Sequence, residues 1–101
     1  MSKRAEMLRE QREKIYCDQH GLCKTCGMPL ALCEAELAHK IPDALWANAK
    51  WGRQVIDHEM NKAMTHRGYC NDQQNIQNKP LECNALVRSI LREIQAPGRN
   101  Q

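Results

Sequence analysis

Four residues of this chain have the types and spacings that hold a soft metal ion. Cys23 and Cys26 stand with two residues between them and Gly27 directly after, and His66 and Cys70 form a second pair with three residues between. A Cys-x-x-Cys run followed by glycine closes a tight turn that brings both sulfurs onto one ion. Three thiolates and one imidazole suit tetrahedral structural zinc. Thirty-nine residues, Gly27 to Thr65, separate the pairs, whereas a simple zinc finger places roughly 12–20 between them. A zinc here closes a long insert, and the insert must hold something. The competing readings are ordinary small apolar residues for Cys23 and Cys26, and a surface histidine for His66. Cys17 is the rival ligand, and Cys33 and Cys83 are expected in the core.

Inside the insert lies Glu36-Leu37-Ala38-His39-Lys40-Ile41-Pro42, followed by Asn61, the His66/Cys70 pair and Asn71. The ordered set is Cys-x-x-Cys, His-x-x-Pro after an apolar strand, Asn five residues before the second metal pair, and Asn directly after the last ligand. From about Gly21 to Asn78 it resembles the HNH endonuclease family, in particular the small phage-type members with a zinc knuckle. The resemblance implies an α+β fold with a ββα-metal (His-Me finger) core, in which two short antiparallel strands and a helix cradle one divalent ion. It implies that His39 is the general base activating a water, that Asn61 orients His39 or its loop, and that Asn71 binds the catalytic ion through its amide oxygen. The chain would then be an H-N-N variant. Family members commonly carry Asp or His just before the base histidine. Here that residue is Ala38, which cannot ligate. Glu36, His58 and Asp72 are the substitutes, and His58 comes first because it lies three residues before Asn61.

The chemistry is coherent apart from the resemblance. Phosphodiester hydrolysis needs a deprotonated water, charge compensation on the phosphoryl oxygens and a stabilised leaving oxygen. A neutral histidine titrates near neutrality and can accept the water's proton. Mg²⁺ or Mn²⁺ prefers oxygen ligands, so an asparagine carbonyl suits it and a thiolate does not. Zinc on sulfur would serve folding, and magnesium or manganese on oxygen would serve catalysis. The competing reading of His39 taken alone is a satisfied core histidine.

The elements that must position these groups follow from the pattern. Ser2 can cap a helix over residues 3–16, with Ala5, Leu8 and Ile15 near one face. Residues 35–41 predict a strand ended by Pro42, and 43–51 a short helix stopped by Gly52. Val55-Ile56 is a second strand candidate, and 71–78 a polar helical segment. Pro80 opens a last helix whose stripe is Leu81, Leu86, Val87, Ile90, Leu91 and Ile94, ended by Pro97-Gly98 with frayed residues beyond. One domain results over 1–101: an N-terminal helix to 20, a zinc-stapled core over 21–78 and a C-terminal helix over 79–96.

A chain of 101 residues with four aromatics and no Phe has little core, so a cross-link is expected. No signal peptide or membrane span is visible, so the six cysteines point to a reducing, cytoplasmic setting, where clustered thiols bind metal. The net charge of +3 is compatible with DNA as partner without establishing it. Lys40, Lys50, Arg53, Lys62 and Arg67 are candidate phosphate contacts, the alternative being solvated charge; Trp46 and Trp51 are expected to pack as core. A homodimer or a phage protein partner fits the same reading. Two rivals stand beside the nuclease: a zinc-stapled nucleic-acid-binding module without turnover, motivated by Ala38, and a protein-interaction domain using the stripe of residues 81–94.

Overall fold

A computed structural model describes residues 2–96. Helix α1 runs Lys3–Asp18 and begins where the Ser2 side chain accepts the N–H of Ala5 at 3.1 Å. A tight hairpin follows, bridged between Leu22 and Pro29. Then come β1 (Ala35–His39), α2 (Leu45–Trp51), the single-turn α3 (Arg53–Ile56), β2 (Lys62–His66), the single-turn α4 (Tyr69–Asp72) and α5 (Pro80–Gln95). The result is a small α+β structure around one antiparallel two-stranded ribbon. Among the described residues no helix is long and apolar enough to cross a membrane.

The ribbon pairs Ala35 with His66 at one end and His39 with Lys62 at the other. Paired residues project to the same face, so Ala35, Leu37 and His39 share a side with His66, Met64 and Lys62. That side meets α1: Ala35 and Met64 pack with Ile15, Cys23 and Leu30, and the Lys62 ammonium donates to the Gln11 side chain. The opposite face carries Ala38, Ala63 and Thr65, all buried.

A second apolar cluster lies beyond the His39 end. Cys83, Val87 and Ile90 of α5 pack on Ile41, Ala47, Val55 and Ile56, with Leu86 and Ile94 at its margin. Most of the α5 stripe is therefore turned inward, and Leu81 and Leu91 are left outside. The stop expected at Pro97-Gly98 lies outside the described residues.

Several expectations need correction. Val55-Ile56 is helical, and the second strand is Lys62–His66. Lys-Ala-Met-Thr-His lacks the apolar/polar alternation of a half-buried strand because Lys62 through Thr65 are all buried, covering both faces. The polar segment 71–78 is helical only to Asp72, after which Ile76 N–H donates to the Lys40 carbonyl at 2.8 Å. Cys33 is exposed, whereas Cys83 is buried as expected. Trp51 packs at the margin of the second cluster, but Trp46 is 47 % exposed.

The loop after β1 is fixed by one buried side chain. The Asn61 carbonyl oxygen accepts Ile41 N–H at 2.8 Å, and its amide donates to the carbonyls of Ile41 and Ile56, both at 2.9 Å. Its main-chain carbonyl also accepts Lys40 N–H at 2.8 Å. Removing a buried side chain with three such bonds leaves backbone groups unpaired, so Asn61→Ala should cost about 2–4 kcal/mol in denaturant unfolding. Asn61→Asp should cost more, because a carboxylate oxygen would face two carbonyls. Wild-type midpoints for both variants would contradict this account of the loop.

Candidate metal centre and histidine site

The sulfurs of Cys23, Cys26 and Cys70 and a ring nitrogen of His66 all lie within 4.8 Å of one another. Tight local geometry puts them there. Gly27, at φ 76°, turns the chain so that its N–H reaches the Cys23 carbonyl at 2.9 Å, while Cys23 N–H donates to the Met28 carbonyl at 2.9 Å. Lys24 N–H donates to the Met64 carbonyl at 3.1 Å, fastening the hairpin to β2. The Thr25 hydroxyl donates to the Cys70 carbonyl at 2.6 Å and accepts from Gln74 at 2.9 Å.

This donor set fits zinc. Cys26 Sγ and His66 Nδ1 are 3.5 Å apart, and zinc bonds of about 2.3 and 2.0 Å at a tetrahedral angle require about 3.5 Å. His66 Nε2 lies 3.2 Å from the Pro29 carbonyl. As an N–H donor to that carbonyl, Nε2 leaves Nδ1 with the free lone pair, the usual outer support of a metal-bound imidazole. Burial raises the Cys23 thiol, but hydrogen bonds from the Cys26, His66 and Thr25 backbone outweigh it and bring it down to about 6. Desolvation and the neighbouring Cys23 and Cys26 push Cys70 up to about 11. Of these two thiols Cys23 therefore gives up its proton before Cys70.

His39 occupies the other end of the ribbon. Its Nε2 is enclosed and takes no hydrogen bond. Burial first, then the Lys62 ammonium, holds its pKa below the ordinary 6.5, against the opposing pull of Asp43 and Asp57. The ring is therefore neutral at pH 7. Both carboxylates offer an oxygen within 4.8 Å of the ring, yet each is taken by arginine. Arg4 reaches Asp43 at 3.0 Å and Asp57 at 2.9 Å, and Arg53 reaches Asp43 at 2.8 Å and Asp57 at 3.5 Å. Burial raises the Asp57 carboxyl, but the Arg4 bond and charge outweigh it. The Asn48 amide and Arg53 hold Asp43 low. Two guanidinium groups and the buried Lys62 already exceed two carboxylates in charge. A resident divalent cation does not fit beside His39 while these pairs persist.

The remaining sequence candidates are distributed as follows. Asn61 supports the His39 loop. Asn71 follows Cys70 on α4, and its chain neighbourhood is the His66 end of the ribbon. Four strand steps, about 13 Å, separate that end from His39. His58 lies outside both clusters and accepts Met60 N–H at 3.1 Å on Nδ1, capping a turn. Glu36 is exposed and 3.8 Å from Arg67, Asp72 is exposed, and Cys17 is exposed outside the metal cluster. Lys50 stands 4.8 Å over the Trp51 ring. Sequence reading missed Arg4, Asp43 and Asp57 at the histidine. Its one local signal was the four-residue step from Arg53 to Asp57, because Arg4 joins from 53 residues away.

Compared with family models, with curated proteins and with solved structures, the chain has no match. Protein isolated without chelators is expected to carry about one zinc per chain and to lose helicity when a strong chelator removes it. Cys26→Ser should do the same, whereas His39→Ala should retain both zinc and fold. Because zinc displaces the last thiol protons, its affinity should fall as pH drops from about 8 to 6. Zinc-free native protein, or an affinity flat in pH, would contradict the assignment.

Proposed function

We propose that this chain is a metal-dependent DNA endonuclease of the HNH type, with a ββα-metal core, a structural zinc on Cys23, Cys26, His66 and Cys70, and His39 as general base. The observation that supports it most is the state of His39: a neutral imidazole at the end of the first ribbon strand, with an unpartnered ring nitrogen and a loop fastened by Asn61. A buried polar atom without a partner costs about 1–3 kcal/mol, a cost that a water or substrate group reaching the ring would remove.

In this reading His39 takes the proton from a water aimed at the phosphorus. Asn61 holds the backbone at Ile41 and Ile56, which fixes the loop that follows the histidine. Arg4 offsets the charge of Asp43 and Asp57, which would otherwise favour the protonated ring. A magnesium or manganese ion would supply charge compensation on the phosphoryl oxygens when bound. The resemblance assigns this ion to Asn71, but that residue neighbours the His66 end of the ribbon, so beside His39 the scissile phosphate and waters would make up its shell. The cytoplasmic setting belongs to this proposal, as do DNA as partner and a homodimer or phage partner.

A second reading has specific support. Ala38 offers no ligand and the Asp43 and Asp57 carboxylates are paired to arginines, which suits a zinc-stapled nucleic-acid-binding module without turnover. A plasmid-nicking assay with Mg²⁺ or Mn²⁺ separates the two. The enzyme should nick, and His39→Ala, its fold and zinc content unchanged, should lower the rate about 10²–10⁴-fold. Binding without nicking by the wild type would leave the module. The pH profile should follow the lowered His39 pKa, with activity holding at 6.5, where a free imidazole is half protonated, and declining only below. By linkage, the stability contributed by the neutral ring is present above 6.5 and lost as pH falls, because the unfolded chain then binds a proton that the fold resists. A lower limb centred above 6.5 would contradict His39 as base.

A further inference from the structure

Helix α2 leads with an apolar tip. Leu45 is 89 % exposed and Trp46 47 % exposed, while Ala47 just behind them is fully buried. The Trp46 ring is seated rather than loose: it meets Trp51 in a T-shaped contact at 5.9 Å and 64°. The helix is anchored too, because the Asn48 amide donates to Asp43 at 2.9 Å and to the Ala44 carbonyl at 3.0 Å. Asp43 is the carboxylate that stands beside His39. The tip thus begins two residues, or at most about 7 Å of chain, from a group in contact range of the histidine site.

One cation stands by the tryptophan pair: Lys50 lies 4.8 Å over the ring of Trp51. Arg4 and Arg53, half-exposed and paired with Asp43 and Asp57, lie beyond Asp43. A fixed, half-open indole with a lysine on its partner ring has what a nucleotide requires: a flat face for the base and positive charge for its phosphate. Two side chains are too small a patch for a stable protein interface, which buries about 800 Å² on each partner. They match the size of one unstacked base.

We infer that Trp46, backed by Leu45, is a stacking platform for an unpaired nucleobase adjoining the phosphate at His39. The inference rests on the nucleic-acid reading above and narrows it. The preferred substrate carries at least one unstacked nucleotide, as in single-stranded, gapped or branched DNA, and is not intact duplex.

The test uses the full zinc-loaded chain in buffer without Mg²⁺ or Mn²⁺, so that nothing is cut. In a Trp51→Phe background Trp46 is the sole indole. Titration with oligodeoxythymidylate at low salt should quench its fluorescence, and a blunt duplex of equal length should not. By anisotropy of a labelled strand, Trp46→Ala should weaken single-strand binding about ten-fold. Its salt slope should not change, since no phosphate contact is lost. Trp46→Phe should restore most of the affinity. Leu45→Asp leaves the tryptophan pair intact and should weaken the same binding, which keeps the test valid if Trp46→Ala is poorly folded. Binding that persists with no quenching, or with wild-type affinity in Trp46→Ala and Leu45→Asp, overturns the platform and spares the nuclease reading. Absence of any binding to either DNA at low salt overturns both.

Discussion

The buried amide of Asn61 is the constraint on which the rest of the arrangement depends. Its three side-chain bonds tie the chain after β1 to the end of α3, and its own carbonyl holds Lys40. Without that tie, the segment from Lys40 to Pro42 would have backbone groups facing the interior with no partner. Because Asn61 immediately precedes β2, the same residue fixes where Lys62 comes to stand opposite His39. A single amide thus couples the register of the ribbon to the loop that follows the histidine.

At the far end of the ribbon the Cys23, Cys26, His66 and Cys70 cluster performs a matching task by different chemistry. Its ligands come from the hairpin after α1, from the last residue of β2 and from the short α4. Three pieces of chain converge where the apolar residues are few. A metal at this point would supply the cross-link that a chain with four aromatics cannot draw from its core. Thr25 and Lys24 add polar ties between the same pieces, so the centre is supported outside its own four ligands.

The sequence disclosed these two features unequally. The metal ligands were legible because their spacing is local within each pair and their chemistry is narrow. Ser2 as a cap, Pro80 as the first residue of α5 and the apolar step along that helix were legible for the same reason. β2 was not, because a strand buried on both faces and containing Lys62 and Thr65 has no alternation to detect. The ion-pair ring around His39 was also hidden, since Arg4, Asp43, Arg53 and Asp57 meet only after α1 has folded across the ribbon. Trp46 was expected inside because aromatic residues are scarce here. Its exposure is a property of where α2 starts, which no periodicity over seven residues can reveal.

The division of the interior has a consequence for cooperativity. Ile15, Cys23, Leu30, Ala35 and Met64 form one apolar body under α1, and Ile41, Ala47, Val55, Ile56, Val87 and Ile90 form another under α5. The soft-metal ligands adjoin only the first. Loss of an ion there would loosen one lobe while the other keeps its packing, and amide exchange would set a protected lobe under α5 apart from a metal-gated lobe under α1 and β2. A protein of this size would then melt in two steps or in one according to whether its thiols are occupied.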